Sequence, residues 1–394
     1  MNEVVDTSCP VCGTEDFIVA AEILSVPVHV GLLWPTAEEA RECPKGDMTL
    51  VFCRSCGYLH NSSFDGELLE YGVSYDNALH FSEVFQEYEL ALARRLVDRY
   101  RLDGKRIVEI GCGSARFLGL LCHIGGNSGV GFDPSHDPEH LDDLAKGRVV
   151  VRQEYFTNQS AVEGADLICA RHVLEHLPHP VGLLQTIREA IGRGDTVLYF
   201  EVPNALSVLQ GLSIWDVVYE HCGYYTAGSL ERLFRLSGFD VIDVGETYGG
   251  QFLGIEARSG GDSTLQEMAP EELGRMTELV ARFSDEIESK REHWDAVLSH
   301  EHESGSRVVV WGAGGKGLGF MNLLSKADHV HALVDVNPRK QGTFMAGTGH
   351  RIVAPEELRE LRPDLVVVVN PLYTEEITAT LRDLGLAKTR VRTV

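Results

Sequence analysis

Three groups of residues in this chain have the types and spacing to do chemistry. The first is a pair of knuckles, Cys9-x-x-Cys12 and Cys53-x-x-Cys56, each followed by a glycine (Gly13, Gly57). Two thiolates so spaced in a tight turn chelate one edge of a tetrahedron, and two knuckles complete a closed four-thiolate Zn²⁺ site. A closed site has no position open to a substrate, so the ion predicted here is structural. Cys43 lies between the knuckles as a substitute ligand. Cys112, Cys122, Cys169 and Cys222 are scattered and read as small buried hydrophobes.

The second group is Tyr219-Glu220-His221-Cys222-Gly223-Tyr224-Tyr225. A histidine beside a carboxylate can act as a general base, provided its pKa lies near the working pH. His221 is the candidate base, with Glu220 orienting it or raising its basicity. Tyr219 or Tyr224 would meet the developing oxyanion. A purely structural Glu-His pair beneath a helix is the alternative for these residues.

The third group comprises two glycine-rich turns. Glu109-Ile110-Gly111-Cys112-Gly113-Ser114 closes one predicted strand and opens a helix, and Asp133 ends the next strand. Glycines let backbone approach a ligand, and a carboxylate at that distance suits a ribose. No third glycine follows, Arg116-Phe117 standing there instead, so the turn suits S-adenosylmethionine (SAM) rather than NAD. Glu109 suits the amino-acid end of SAM. The later turn, Gly312-Ala313-Gly314-Gly315-Lys316-Gly317 with Asp335 ending the next strand, matches a dinucleotide fingerprint. That unit is only about 90 residues long, half of a doubly wound domain, and carries a lysine in the turn. Gly314, Lys316 and Asp335 therefore suit the phosphates of a nucleotide-sugar handle; a remnant that binds nothing and an NAD site are the alternatives.

Around these groups the hydrophobic pattern supplies the elements. Val84, Tyr88, Leu92 and Leu96 are spaced helically over 83–100. From Arg106 strands and helices alternate (RIVEI, SGVGFD, RVVVRQ, ADLICA, TVLYFEV), which predicts a parallel sheet with helices on both faces. FDVIDV and QFLGIEAR, joined through Gly-Gly, predict an antiparallel hairpin at its edge. Pro270 opens, and Ser304-Gly305-Ser306 follows, a long linking helix. A second alternating unit completes an α/β chain. The predicted boundaries are a zinc-binding domain over 1–60, a SAM domain over 61–260, the linking helix over 261–303 and a Rossmann-like unit over 304–394.

Two stretches carry a family resemblance. Arg171-His172-Val173-Leu174-Glu175-His176, after the fourth strand, resembles the VLEHL motif of class I SAM-dependent methyltransferases, whose residues at this point line the cofactor and acceptor pocket. The resemblance implies a cofactor contact for His172; helix capping would equally account for Glu175 and His176. The knuckles, the SYDNALHFS segment, the EIGCG core, the Tyr219–Tyr225 motif and the GAGGKG turn, in that order, are similar to the three-domain C-methyltransferases of deoxysugar biosynthesis. That family implies a zinc-binding N-terminal domain, a class I Rossmann-like SAM core and a Rossmann-like C-terminal domain. It also implies methyl transfer to C3 of a nucleotide-linked 4-keto sugar. Tyr75 and His80, just before the SAM domain, would reach cofactor or acceptor. The family motif commonly reads Tyr-His-Glu-His; here one residue is missing before the glutamate, so which side chain takes the second role stays open.

Composition narrows the partners. The 394 residues carry a formal net charge of −24, which repels nucleic acid and anionic bilayers. No apolar run is long enough to span a membrane, and the opening MNEVVDTSCP lacks the pattern of a secretory signal. The expectation is a cytoplasmic monomer with reduced thiols, acting on a small-molecule acceptor. Other acceptors remain open: an electron-rich aromatic carbon of indole type, with Trp215 nearby, or a hydroxyl. A sugar-binding or scaffold protein with a degenerate core is the non-enzymatic reading. The intact Glu109, Gly111, Gly113 and Asp133 oppose it.

Overall fold

The structure, a computed structural model, describes residues 8–69 and 78–394 apart from positions 161, 163, 193 and 262. Tyr75 lies outside the described residues. Strands β1 (Phe17–Pro27), β2 (Lys45–Cys53) and β3 (Leu59–Asn61) form an antiparallel meander. The alternating sequence from Arg106 becomes β4 (Arg106–Ile110), β5 (Ser128–Phe132), β6 (Val149–Arg152), β7 (Leu167–Arg171) and β8 (Val197–Pro203), all parallel. The two-residue β9 (Gly223–Tyr224) leaves this sheet and pairs with β3, so the stretch that contains His221 belongs to the N-terminal sheet. The antiparallel β10 (Phe239–Thr247) and β11 (Phe252–Ser259) close the central sheet as the predicted hairpin, in the order β10-β11-β8-β7-β4-β5-β6. The C-terminal unit stacks β12 (Val308–Trp311), β13 (Val330–Val334), β14 (Ile352–Val353), β15 (Leu365–Val368) and β16 (Arg390–Thr393) in a parallel sheet of order β14-β13-β12-β15-β16.

In both parallel sheets the order reverses beside the first strand, β4 or β12. Ligands of such sheets bind in the crevice at the carboxyl ends of the strands there. β4, β7 and β8 are buried on both faces, which is why RIVEI, LICAR and VLYFEV read as continuous apolar runs.

The helix Pro270–Glu303 is more than a linker. Met276, Val280, Phe283, Trp294 and Leu298 on one of its faces join a single core with Ala20, Val28 and Met48 of the N-terminal sheet and Val308, Phe320 and Met321 of the C-terminal unit. The knuckle residues Cys9, Cys53 and Cys56 pack instead with Tyr225, Leu230 and Phe234 beneath the central sheet. These shared cores fix the first and last units around the central one. Among the described residues no helix is long and apolar enough to cross a membrane.

Candidate active site

The first glycine turn leaves β4 under tight steric control. Gly111 has φ +70°, and a Cβ there would lie 2.4 Å from Val173 Cγ2, so this position needs glycine on both counts. Asp133, directly after β5, fixes the turn. One carboxylate oxygen accepts the Gly113 N–H at 2.7 Å, while the other accepts the Ser135 N–H at 2.8 Å and the Ser135 hydroxyl at 2.6 Å. His136 Nδ1 meets the Gly113 carbonyl at 2.7 Å. Glu109 lies under the turn, where its carboxyl accepts the Leu118 N–H at 3.1 Å and anchors the following helix, and burial pushes its pKa up to about 8.

At the end of β7 the chain turns sharply at His172, whose φ of +56° is strained for a non-glycine residue. Its two ring nitrogens lie 3.4 Å from Glu175 and 3.4 Å from Glu201. Burial alone would lower its pKa, but the two carboxylates outweigh that and raise it to about 9. Glu201 is wholly buried and also holds Arg171 (3.0 Å), the Tyr199 hydroxyl (2.9 Å) and the Tyr88 hydroxyl. Arg171 in turn reaches Glu89 at 2.9 Å. This network surrounds Arg171 and His172, at the carboxyl end of β7, with the carboxylates of Glu89, Glu175 and Glu201, which favour the protonated imidazole.

Beyond His172, the side chains of Glu175, His176 and His221 converge, one carboxylate oxygen and one ring nitrogen of each histidine lying within 4.8 Å of one another. The rings of His176 and His221 meet edge to face at 5.1 Å. Glu175 is 1% exposed and neither of its oxygens has a hydrogen-bond partner. Burial would raise its pKa, but His172, His176 and His221 together hold it below the usual carboxylate range. His221 is pushed down to about 3, by burial first and His176 second, with Glu175 opposing. At neutral pH the pair is thus a neutral imidazole beside a carboxylate. That pair can take a proton and stabilise the imidazolium formed. The expectation of a base pKa near the working pH is corrected downward.

The other residues expected to assist His221 are engaged elsewhere. Glu220 is fully buried and accepts the Val30 N–H at 2.6 Å. The Tyr219 hydroxyl accepts the Asp65 N–H at 2.9 Å, and the Tyr224 hydroxyl donates to the Val218 carbonyl at 3.0 Å. Glu220 and Tyr219 thus tie the segment to the N-terminal unit, at Val30 and Asp65, and Tyr224 closes the segment on itself at Val218. His80 sits in the turn before the helix Glu83–Tyr100, its ring 4.5 Å from that of Phe81 and its carbonyl accepting from Gln86, outside the Glu175–His176–His221 group.

Comparison with known proteins places this geometry in context. Residues 82–244 match a methyltransferase domain model, and residues 247–391 match a model described as the C-methyltransferase C-terminal domain. The chain belongs to the SAM-dependent C-methyltransferase family. It is 25% identical over 390 residues to C-methyltransferase NovU of Streptomyces niveus, covering 94% of this chain and 90% of that one. A shorter match, 27% over 113 residues, links it to the ubiquinone biosynthesis O-methyltransferase of Actinobacillus pleuropneumoniae, covering 26% of this chain and 47% of that one. Among solved structures, a SAM-dependent methyltransferase from Aquifex aeolicus is 15% identical, with a TM-score of 0.34 over 46% of this chain and 98% of that one.

The central sheet of this methyltransferase is its class I SAM core, and Gly111, Gly113, Asp133 and His172 lie just past the carboxyl ends of its strands β4, β5 and β7. The C-terminal turn is arranged differently from expectation. Gly314 caps the helix Gly315–Leu323, but Lys316 is paired with Asp216, and Asp335 accepts the Ala313 and Asn337 N–H groups at 2.8 and 2.9 Å. Lys316 and Asp335 are thus engaged with protein groups and present no open phosphate cradle.

The four knuckle sulfurs also lie within 4.8 Å of one another, Cys9 to Cys56 at 3.6 Å and Cys12 to Cys53 at 3.5 Å. A tetrahedral Zn²⁺ with bonds of about 2.3 Å sets sulfurs about 3.8 Å apart, so the four fit the ion. Both knuckles use the same turn, with Gly13 N–H on the Cys9 carbonyl and Gly57 N–H on that of Cys53. Cys43 lies outside this group, in the core under β1 and β2.

Sequence reasoning weighed Glu175 and His176 against helix capping without assigning them to the site, and did not find Glu201. The strand-end run from Arg171 to His176 carried the signal for the first two. Glu201 gave none, since an acid inside an apolar strand declares itself only through the partners that pay for its burial.

Proposed function

We propose that this C-methyltransferase deprotonates and methylates the carbon α to the carbonyl of a nucleotide-linked keto deoxysugar. The observation that carries this reading is the convergence of Glu175, His176 and His221 at the carboxyl end of the central sheet, next to the SAM crevice. SAM brings a methyl group already bound to an electrophilic sulfonium, so the protein's task is to make carbon nucleophilic. His221, neutral at working pH, accepts the α proton, and the C–H electron pair becomes the enolate. That pair then forms the new C–C bond as the S–CH₃ pair returns to sulfur, giving S-adenosylhomocysteine. Glu175 offsets the charge on the imidazolium, and His172, already cationic, supplies a positive edge to the crevice. Asp133 retains lone pairs for ribose hydroxyls while bracing the turn.

The resemblance of the whole domain order supports a sugar acceptor, and the similarity to NovU over 94% of the chain supports carbon as the methylated atom. We assign Zn²⁺ to Cys9, Cys12, Cys53 and Cys56, where it would act as a fold element. The deciding experiment incubates the protein with SAM and a panel of nucleoside-diphosphate-linked keto deoxyhexoses, indoles and phenols. S-adenosylhomocysteine release identifies the acceptor and NMR locates the new methyl. Turnover only with aromatic or hydroxyl acceptors would overturn the sugar reading.

A further inference from the structure

The segment that carries His221 is gripped from two sides. At one end Asp216, in the turn Ile214–Asp216, receives both of its bonds to Lys316 from the C-terminal unit, at 2.5 and 2.6 Å. The pair is largely shielded, the side chains being 24% and 17% exposed. At the other end Glu220, adjacent to His221, receives the Val30 N–H. Next to Asp216 the helix Gly315–Leu323 presses on the segment's backbone at Trp215. A Cβ at Gly319 would lie 2.2 Å from the Trp215 carbonyl oxygen, so a side chain there would force helix and segment apart.

The same helix accounts for the glycine-rich turn. Over Gly315, the position where a bound phosphate would approach, stand the side chains of Val30 and Val218, 3.6 and 3.8 Å from where a Cβ would be. The lysine that the sequence offers to a phosphate is instead spent on a carboxylate of the catalytic segment. Trp215 packs edge-on against Phe320 at 5.5 Å, and Phe320 against Trp294 at 5.2 Å, so the contact continues into the long helix.

We propose that Lys316 is a positioning residue for His221, holding the imidazole's segment through Asp216, and that the C-terminal glycine-rich turn serves this packing in place of a nucleotide phosphate. A segment with few regular hydrogen bonds of its own needs such a brace to keep a base within reach of one proton, since a displacement of about 1 Å can cost about a hundredfold in rate. The proposal rests on His221 as the base. It gives the C-terminal unit a direct part in catalysis without a ligand.

The test compares Lys316→Met, Lys316→Arg and the exchanged pair Lys316→Asp with Asp216→Lys in the full chain. Two readouts are used: steady-state kinetics with SAM and a nucleoside-diphosphate-linked 4-keto-deoxyhexose, and amide hydrogen exchange. Lys316→Met should lower kcat by about tenfold or more, leave KM for the sugar and the SAM dissociation constant within about twofold, and speed exchange over 213–222. Arginine, and to a lesser degree the exchanged pair, should restore both readouts. A raised KM with unchanged kcat would make Lys316 a phosphate ligand and overturn the proposal, as would unchanged exchange over 213–222. If the wild type does not turn over this sugar, the acceptor reading fails. Exchange over 213–222 in Lys316→Met then decides the brace alone.

Discussion

Asp133 and Asp335 occupy equivalent places in the two parallel sheets of this chain. Each follows the second strand of its unit, and each takes an N–H from the glycine turn, Gly113 at 2.7 Å and Ala313 at 2.8 Å. Each also takes one from the residue two positions on, Ser135 at 2.8 Å and Asn337 at 2.9 Å. Even the third contact has a counterpart: His136 reaches the Gly113 carbonyl, and Lys340 reaches that of Ala313 at 3.3 Å. In the C-terminal unit, Val30 and Val218 approach the start of the following helix at Gly315, and Lys316 beside it pairs with Asp216. One local design thus recurs in two units with different neighbours.

Asp133→Ala therefore removes both a ribose acceptor and the clasp on the Gly113 turn. SAM binding measured by calorimetry should weaken by about 1.5–3 kcal/mol. Asp335→Ala should leave SAM affinity unchanged and lower the melting temperature. Unchanged SAM affinity in the Asp133 variant would remove this strand end from the cofactor site.

The knuckle sulfurs predict about one zinc per chain, with four sulfur ligands in X-ray absorption. Cys53→Ser or chelation should loosen the N-terminal sheet and, through Cys56 and Arg232, whose guanidinium donates to the Cys56 carbonyl at 3.2 Å, the helix Ala227–Leu236. SAM affinity should hardly change. Metal-free protein of undiminished stability, or fewer than three sulfurs around the ion, would contradict the assignment.

The pattern of short apolar runs and glycine turns made both parallel sheets legible, because strands buried on two faces leave unbroken Val, Ile and Leu runs. The knuckles were legible because thiol spacing is itself geometry. The partners of His221 were not. Glu220 lies next to it in sequence, yet its carboxylate accepts the Val30 N–H, while Glu175 arrives from a different strand end. The partner of Lys316, Asp216, was not legible for a related reason: a glycine turn with a lysine looks alike whether the positive charge meets a phosphate or an aspartate from a distant segment.

His172 sets a pH dependence of stability. Its pKa in the folded protein is about 9, above the ordinary value of 6.5, because Glu175 and Glu201 flank it. The folded state binds the extra proton, so this contribution is full below pH 6.5 and is lost as pH rises through 9. Wild-type protein should lose on the order of 2–3 kcal/mol of unfolding free energy across that window relative to His172→Gln. Parallel stability curves for the two proteins from pH 6.5 to 9 would show that His172 is not held as an imidazolium.

His221 carries the opposite shift, and its consequence for rate is the sharpest test of the mechanism. With its pKa pushed down to about 3, the imidazole stays neutral through the whole range in which the protein works. The acid limb of kcat/KM should therefore not fall near pH 6.5, where an ordinary histidine base would place it. His221→Asn should lower kcat by about 10²–10⁴ with SAM affinity nearly unchanged, since the amide cannot accept the proton. Glu175→Gln should also slow turnover, because the imidazolium then forms without its counter-charge. If wild-type protein exchanges the α proton of the acceptor with deuterium in the absence of methyl transfer, both variants should lose that exchange. An aromatic acceptor would behave differently: ring attack on the methyl precedes proton loss, so a modest rate effect without exchange would point there. A stable His221→Asn protein that turns over at the wild-type rate would take this residue out of the reaction.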